Sequence, residues 1–351
     1  MAVNPYPDHP ATLPCSPNAV DDFLSAPTGE AIRCLRAHRG PFLVLGAGGK
    51  MGLHLCLMLK KALEADGRTD EVVAVSRFSS LRDQEDFASF GITTLAGDLL
   101  DDTFLATLPE APSVFFLAGI KFGTTSSPEL LRQMNVEMPR KVAQRFVRSR
   151  IVAFSTGCVY PFVAPASGGA TEQTPIAPIG DYAASCVERE TAFRRAAETS
   201  GNPVALVRLN YSVEFRYGLL LDIALKVARS EPVDVSMGYC NVIWQSDAIA
   251  HAIQSLDLAG SPARPVNVTG PEVLSVRVLA ESLGRLLALP VRVRGVETDT
   301  AWLNNAAFSH GRFGAPKVGI SQMLTWVAAW VQAGEATWGK PTGFERRDGN
   351  F

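Results

Sequence analysis

Short apolar runs alternate with amphipathic segments through the first half of the chain. The first apolar run, at 42–45, ends in a glycine-rich turn, and apolar residues then recur with helical spacing from 51 to 62. Further runs that suit strands lie at 71–75, 92–96, 113–117 and 151–154, and helical spacing also covers 130–147. This order predicts an α/β protein with a Rossmann-like, doubly wound parallel sheet.

The two ends of the chain are less regular. Five prolines among the first 17 residues oppose a long early helix, so residues 1–40 are expected to form an N-terminal extension with a helix only at 31–38. Helical spacing returns at 278–287 and 322–331, which fits a lobe of short helices. Residues 339–351 are polar and contain proline and glycine, which predicts a surface tail.

The composition narrows the possible partners. The 351 residues are 47% hydrophobic and 19% charged, with a formal net charge of −2. There is no basic run to attract nucleic acid, no apolar stretch long enough to span a membrane, and no signal-peptide pattern. Six cysteines and five histidines are scattered without disulfide or metal-ligand spacing. We therefore expect a reduced cytoplasmic protein without a metal, a nucleic-acid partner or a membrane contact.

The turn after the first apolar run reads GAGGKMG from Gly46 to Gly52 and has the spacing of a dinucleotide-binding motif. Gly46 would permit the tight turn, and Gly49 would let the backbone approach a pyrophosphate. Gly52 would allow the helix to pack closely on the strand, with the helix N-terminus facing the phosphates. Lys50 belongs to the same turn and is a candidate to bind the 2′-phosphate on the ribose of NADP.

The ends of the next strands carry residues that suit the rest of a dinucleotide. The second strand ends at Ser76 and Arg77, where an NAD-selective site normally has an acidic residue, so we expect NADP to be preferred, with NAD as the alternative. Asp98 and Leu99, after the third strand, would contact adenine. The complete set of expected cofactor contacts is Gly46, Gly49, Lys50, Met51, Gly52, Ser76, Arg77, Asp98, Leu99, Ala118, Gly119 and Lys121.

Two later motifs, STGCVY at 155–160 and YAASC at 182–186, add candidate chemistry. A hydroxyl at a strand end, followed about 26 residues later by a tyrosine that opens a helix, suits hydride transfer at a carbon bearing oxygen. Together with the glycine turn and the GDL segment at 97–99, these motifs resemble the extended short-chain dehydrogenases/reductases of the NAD-dependent epimerase/dehydratase type. The resemblance runs from about Phe42 to Trp330, and none of its motifs specifies the substrate.

The resemblance implies a domain organisation. An NAD(P)-binding Rossmann domain would occupy 41–210, with 241–256 returning to it, and a smaller substrate-binding lobe with the tail would occupy 211–351. Extended members often dimerise through two helices, here 130–147 and 182–199, so a homodimer is expected. Candidate substrate contacts, for each of which core packing is the alternative role, are Asn210, Arg216, Tyr217 and Trp244.

The resemblance also assigns catalytic roles. Tyr182 would be the acid/base, Thr156 would hold the same substrate oxygen, and Asn135 would support the site from a neighbouring helix. The family normally has a lysine four residues after the tyrosine, but this chain has Cys186. A phenol with a pKa near 10 needs nearby positive charge to ionise, and a neutral thiol cannot supply it.

Two residues are candidates for the missing charge. Lys121 is preferred, because related epimerases carry a lysine near the cofactor after the fourth strand. Arg189 is the second candidate, since it shares a helix face with Tyr182 and Cys186. Cys186 itself is expected in the core, with a nucleophilic role as the alternative.

Three functions follow from these residues. The first is an NADP-preferring oxidoreductase that acts on a secondary alcohol or ketone of a polar, sugar-like substrate. The second is an epimerase or dehydratase of a sugar or nucleotide-sugar, whose cofactor is reduced and reoxidised in place. The third is an NADP-binding sensor or scaffold without catalysis, for which the missing lysine is the argument.

Overall fold

The computed structural model describes residues 13–14, 16–79, 81–121 and 127–349. The strands are β1 (Phe42–Leu45), β2 (Val72–Ser76), β3 (Thr93–Ala96), β4 (Ser113–Phe116), β5 (Arg150–Thr156), β6 (Val204–Leu209), β7 (Ser212–Val213), β8 (Val233–Asp234), β9 (Tyr239–Cys240), β10 (Ile243–Trp244), β11 (Arg264–Val268), β12 (Leu274–Ser275) and β13 (Val293–Arg294). The α-helices are α1 (Pro17–Leu24), α2 (Gly29–Leu35), α3 (Gly52–Ala65), α4 (Gln84–Ala88), α5 (Asp102–Thr107), α6 (Pro128–Arg132), α7 (Met138–Arg145), α8 (Asp181–Ser200), α9 (Leu219–Ala228), α10 (Gln245–Gln254), α11 (Val276–Leu287), α12 (Ala307–Phe313) and α13 (Ile320–Gln332).

Seven strands form one sheet in the order β11-β6-β5-β4-β1-β2-β3, and all neighbours are parallel. The strand order reverses between β1 and β4. At such a switch point the connections leave the sheet in opposite directions, which opens a crevice at the carboxyl ends of the strands. The predicted α/β fold with a doubly wound parallel sheet is confirmed.

Alternate residues of β1 enter the two hydrophobic cores that flank the sheet. Phe42 and Val44 face the core shared with α2, α3 and α10, whereas Leu43 and Leu45 face the core shared with α5, α7 and α8. Successive side chains of a strand point to opposite faces, and all four are buried because helices cover both sides. The uninterrupted apolar run of β1 therefore reflects a strand at the centre of a covered sheet.

A third core lies in the second lobe, among α1, α9, α11 and α13. The Trp244 ring lies 5.0 Å from that of Phe215 and 5.1 Å from that of Trp326, and Trp244 is fully buried. Trp244 thus packs in this core. Core packing was the alternative to its predicted role as a substrate contact.

The N-terminal extension is more structured than its prolines predict. The expectation of a single helix at 31–38 is wrong, since α1 begins at Pro17 and α2 spans Gly29–Leu35. Proline is tolerated at the first helical position, where its missing N–H has no partner to lose, and Ser16 caps the helix by accepting from the N–H of Ala19. Val20 and Leu24 enter the core of the second lobe.

The later chain contributes to both lobes. β11 pairs with β6 at the edge of the main sheet, although its residues fall in the range predicted for the substrate lobe. α10 packs on α2 and α3. The lobes therefore exchange segments more than once, and the numerical domain limits remain predictions.

The helix expected at 130–147 is wrong as one continuous α-helix. A π-helical segment, Gln133–Glu137, separates α6 from α7, and the N–H of Met138 donates to the carbonyl of Gln133 five residues back. Pro139 has no N–H to donate to the carbonyl of Asn135 four residues back, so regular α-helical bonding is interrupted there. Such widened turns are frequent at functional sites.

Within the described ranges, no helix combines the length and apolarity needed to cross a membrane.

A buried ionic network joins the extension to both lobes through Asp21 of α1. One carboxylate oxygen accepts from His54 at 2.8 Å, Arg82 at 2.6 Å and Arg216 at 2.9 Å. Burial alone would raise the pKa of Asp21, but the hydrogen bond from His54 and the charges of Arg216 and Arg82 outweigh it and hold the pKa well below its usual range. Arg216, a candidate substrate contact, is thus engaged in a structural network.

We predict that Asp21→Asn lowers the free energy of unfolding by about 3 kcal/mol, because two buried guanidinium groups lose the nearest of their carboxylates and keep only Glu214 and Asp86. Asp22→Asn is the matched control. Its side chain is 72% exposed and pairs with Lys61, so it should cost less than about 1 kcal/mol. Urea unfolding at neutral pH measures both, and equal losses would contradict the assignment. Because the pKa is depressed, the Asp21 contribution should persist above about pH 4 and be lost as the pH falls below it.

Candidate active site

The glycine turn lies at the switch point, against the end of β4. Gly46 has φ +86°, and a Cβ built on it would lie 2.4 Å from the backbone nitrogen of Ala118. A Cβ on Gly52 would lie 2.1 Å from the carbonyl oxygen of Ala47, so no side chain fits between α3 and the turn. Only glycine permits these two approaches.

Gly49 has a different environment. The nearest atom to a Cβ built there is the carbonyl oxygen of Gly46, at 3.6 Å, so protein atoms leave space above it. Met51 is the N-cap of α3, and α3 begins with the next residue. A helix N-terminus beside open space offers unpaired N–H groups to an anion. The turn therefore fits the diphosphate of a dinucleotide.

The residues after β2 and β3 lie side by side. The guanidinium of Arg77 is 3.7 Å from the carboxylate of Asp98, and both side chains are substantially exposed. Ser76 lies against the turn, since a Cβ on Gly48 would meet its hydroxyl at 2.7 Å. Leu99 is buried in the core of α5, α7 and α8. The preference for NADP was predicted from the charge of Arg77. A carboxylate lies close to that charge.

Lys50 connects the glycine turn to the second lobe. Its ammonium lies 3.1 Å from the centre of the Tyr217 ring, a cation–π contact between an expected cofactor residue and an expected substrate residue. Burial lowers the pKa of Lys50 to about 7, the charges of Lys121 and Lys340 add to the lowering, and Asp222 and Glu214 oppose it. Lys50 therefore loses its charge much more readily than an exposed lysine would.

Tyr182 stands in the first turn of α8 and is partly buried. Burial raises the pKa of its phenol well above 10, and the Cys186 thiol, to which it is hydrogen bonded, adds to the rise, whereas the charge of Arg189 opposes it. Without further positive charge the phenol stays protonated at neutral pH. The Lys121 ammonium lies 5.7 Å from the centre of the Tyr182 ring.

Lys121 is itself in a low-polarity environment. Burial lowers its pKa, the charge of Arg346 lowers it further, and the thiols of Cys158 and Cys186 act in the opposite sense. The ammonium therefore lies among two thiols, an aromatic ring and a second cation. Lys121 therefore lies near Tyr182, which is where a residue that replaces the family's lysine was expected.

Arg189 is held by two hydrogen bonds. Its Nη2 donates to Oδ1 of Asn135 at 2.6 Å and its Nη1 to the carbonyl of Phe154 at 3.1 Å. A Cβ on Gly119 would lie 2.1 Å from Nη2, so glycine makes room for the guanidinium. Nε is buried and has no hydrogen-bond partner among the described residues.

Asn135 of the π-helical segment joins these parts. Its Oδ1 also accepts from the N–H of Ile120 at 2.9 Å, and its Nδ2 donates to the carbonyl of Ile120 and to Oγ of Ser185, each at 2.9 Å. The side chain thereby fixes the segment after β4 relative to α8. It contacts the groups around Tyr182 rather than open space.

Cys186 is fully buried among Val159, Tyr160 and Ala170. Burial raises the pKa of its thiol, which therefore stays neutral at physiological pH. A buried neutral thiol is a poor nucleophile, so packing accounts for this residue.

Thr156 ends β5, and its hydroxyl accepts from the N–H of Cys158 at 3.2 Å. Beside it, a Cβ on Gly157 would lie 2.6 Å from Oδ1 of Asn304. Asn304 is 1% exposed, and neither polar atom of its amide has a partner among the described residues. Asn304 was not predicted as a site residue, because no sequence motif lies near it and only the fold brings it close to β5. Asn210 donates to the carbonyl of Trp302 at 3.3 Å, in the same segment.

Away from this edge, one cluster has the side chains of a metal site. Atoms of Cys34, His38 and Asp257 lie within 4.8 Å of one another, and a 2.8 Å contact joins His38 to Asp257. Burial raises the pKa of Cys34, so its thiol is protonated. These side chains form hydrogen bonds that join the N-terminal extension to the end of α10 and the residues just after it.

The comparisons with known proteins agree with this architecture. Residues 42–213 match the model of the NAD dependent epimerase/dehydratase family. This segment, which holds the glycine turn, Thr156 and Tyr182, belongs to that family, and the protein is an NAD(P)-dependent enzyme of the short-chain dehydrogenase/reductase type. The predicted family is therefore confirmed. No curated protein sequence matches the chain significantly.

Several solved structures share the fold at low sequence identity. One is DesIV, the dTDP-glucose 4,6-dehydratase of Streptomyces venezuelae with NAD bound, with a TM-score of 0.71 at 20% identity over 83% of this chain and 97% of that one. The UDP-glucose 4-epimerase of Thermotoga maritima has a TM-score of 0.68 at 16% identity, over 84% and 99%. A UDP-glucuronic acid 4-epimerase mutant of Bacillus cereus with NAD has a TM-score of 0.67 at 15% identity, over 83% and 99%.

These findings bear on the order of the three hypotheses. They favour the epimerase or dehydratase, which was the alternative, over the dissociable oxidoreductase that was preferred from the sequence. The bound cofactor in the DesIV and Bacillus cereus structures is NAD, so the preference for NADP gains no support from them.

Proposed function

We propose that the protein is an NAD-dependent epimerase or dehydratase of a nucleotide-sugar, which reoxidises the same cofactor within each turnover. The observation that carries the proposal is the group at the carboxyl edge of the sheet, where Tyr182 lies with Lys121 and Arg189 beside the glycine turn of the family. Family membership supplies the reaction class. The substrate class is that of the similar enzymes, which act on dTDP-glucose, UDP-glucose and UDP-glucuronic acid.

The cofactor would be held by the residues expected from the sequence, with NAD in place of NADP. The space above Gly49 and the start of α3 suit the diphosphate. Asp98 lies near enough to Arg77 to neutralise part of the charge that a 2′-phosphate would need, which favours NAD. NAD, when bound, supplies the acceptor for a hydride and a positive charge.

The chain's own residues would handle the proton and the substrate oxygen. Tyr182 removes the proton of a substrate hydroxyl as that carbon becomes a carbonyl, and in the epimerase reaction it returns the proton when the same carbonyl is reduced. Thr156 hydrogen-bonds the same oxygen. Because burial raises the pKa of Tyr182, the charge of Arg189 has to stabilise the phenolate, and Lys121 adds a second cation.

A groove beside α9 supports a substrate with a diphosphate. Lys226, Arg229 and Lys340 line this groove together with Asp222, Glu231 and Glu345. Arg216 also borders it, but its guanidinium is engaged by Asp21 and Glu214.

We predict that Tyr182→Phe lowers turnover by at least ~100-fold while the variant still binds NAD, because only the phenolic O–H is lost. Cofactor reduction and product formation, assayed with UDP-glucose, UDP-glucuronic acid and dTDP-glucose, measure the effect. Arg189→Lys, which keeps the charge, should retain more activity than Arg189→Gln. A Tyr182→Phe enzyme with normal turnover would remove the phenol from the mechanism.

We predict that NAD binding weakens as the pH rises above the Lys50 pKa of about 7. A bound diphosphate favours the charged ammonium, so binding above that pH takes up a proton and affinity falls by up to about tenfold per pH unit. Calorimetric titration across neutral pH measures this. Lys50→Arg, which stays charged, should show a flat profile. A flat profile in the natural protein would place Lys50 outside the cofactor site.

We also propose a homodimer through α6, α7 and α8. A groove between α7 and α8 has small and apolar side chains such as Val136, Ala143 and Ala192 beside charged ones such as Arg140 and Glu188. Ala192→Arg should convert the dimer to a monomer, as measured by sedimentation velocity. Val296→Arg, at an apolar residue that is 81% exposed in the second lobe, is the control and should leave the mass unchanged. A monomeric natural protein would contradict the proposal.

A further inference from the structure

The segment after α13, residues 333–349, returns from the second lobe to the glycine turn and then to α8, and we call it the C-terminal tail. Its first anchor is Trp338, whose backbone N–H donates to the carbonyl of Arg216 at 3.0 Å and whose indole N–H donates to Glu214 at 2.9 Å. The guanidinium groups of Arg82 and Arg216 lie 5.2 Å and 4.8 Å from its ring. Since Arg82 follows β2, the tail begins beside the cofactor end of the crevice.

The middle of the tail is fixed to α9. Asp222 accepts from the N–H of Thr342 at 2.7 Å and from its hydroxyl at 2.5 Å. Phe344 is 1% exposed and enters the core of the second lobe. The buried Phe344 ring and the hydrogen bonds of Thr342 therefore fix the middle of the tail in one position on the second lobe.

The last part of the tail contacts both elements that carry the candidate catalytic residues. The guanidinium of Arg347 lies 4.1 Å from the ring of Phe162, which follows β5, and donates to the carbonyl of Thr300 at 2.6 Å. Gly349 has φ +73°, and a Cβ on it would lie 2.1 Å from the carbonyl oxygen of Ile179. Gly180 is the N-cap of α8, and a Cβ built on it would lie 2.7 Å from the backbone of Gly349.

Two tail cations lie near the cations of the crevice. Lys340 contributes to the low pKa of Lys50, and Arg346 contributes to the low pKa of Lys121. The contacts along the tail thus run from Arg82, beside the glycine turn, past α9 and on to the start of α8.

We propose that the C-terminal tail is part of the cofactor site, and that its backbone contact between Gly349 and Gly180 closes the crevice over bound NAD and slows its release. This inference rests on the proposed function, because an enzyme that reoxidises its cofactor in place gains from retaining it. The tail adds a covering element and two cations to the residues that the family motif supplies. The charges of Lys340 and Arg346, which act on Lys50 and Lys121, would also attract the anionic groups of a bound cofactor.

The test is the rate at which prebound NADH leaves the full-length protein when it is trapped by excess competitor. Gly349→Ala should accelerate release by roughly tenfold or more, because the new Cβ meets the Ile179 carbonyl and the tail cannot seat on α8. Gly339→Ala is the matched control. It lies in the same tail at φ +61° and has nothing within 4 Å of the added Cβ, so it should release NADH at the natural rate.

Arg347→Ala provides a second variant, which removes the contacts with Phe162 and Thr300 without placing a side chain at a positive φ. It should also release NADH faster. Equal release rates in the natural protein, Gly349→Ala and Arg347→Ala would overturn the tail's role and leave the proposed function standing. A natural protein that binds neither NAD nor NADH would overturn the proposed function and the tail's role together.

Discussion

The buried guanidinium of Arg189 ties together the elements that form the catalytic edge. It extends from α8 past Gly119 and donates to Asn135 in the π-helical segment and to the carbonyl of Phe154 in β5. A buried cation is costly unless oxygen atoms surround it, so each of these elements must keep its position for the charge to be tolerated. The glycine after β4 and the position of Asn135 in the π-helical segment both suit this requirement, while the interruption of the helix itself follows from Pro139.

The same cation gives a physical account of the missing lysine. Cys186 is neutral and fully buried, so it contributes volume and no charge. We propose that the positive charge near the phenol comes instead from Arg189, one turn further along α8, and from Lys121 after β4. A lysine at 186 would add a third cation to this low-polarity region, where like charges oppose one another. On this account the site around Tyr182 is an altered form of the family's arrangement and remains catalytic.

The features that the sequence predicted correctly depend on local patterns. The apolar run of β1 and the glycine turn are readable because strand burial and tight turns constrain neighbouring residues. The features that were missed depend on contacts between distant residues. Nothing near Pro17 indicates that α1 completes a core of the second lobe, and nothing near Asn304 indicates that it reaches Gly157. The polar tail was predicted to lie on the surface, but its contacts with Arg216 and Gly180 lie over a hundred residues away in sequence, beyond the range of any local pattern.

The central claim is that this enzyme holds NAD and recycles it in place. The most direct measurement is the mass and amount of any nucleotide released when the purified protein is denatured. The claim predicts NAD or NADH in near-stoichiometric amount. A protein that releases no nucleotide and then binds NADPH more tightly than NADH would contradict it, and would return the interpretation to a dissociable NADP-dependent oxidoreductase.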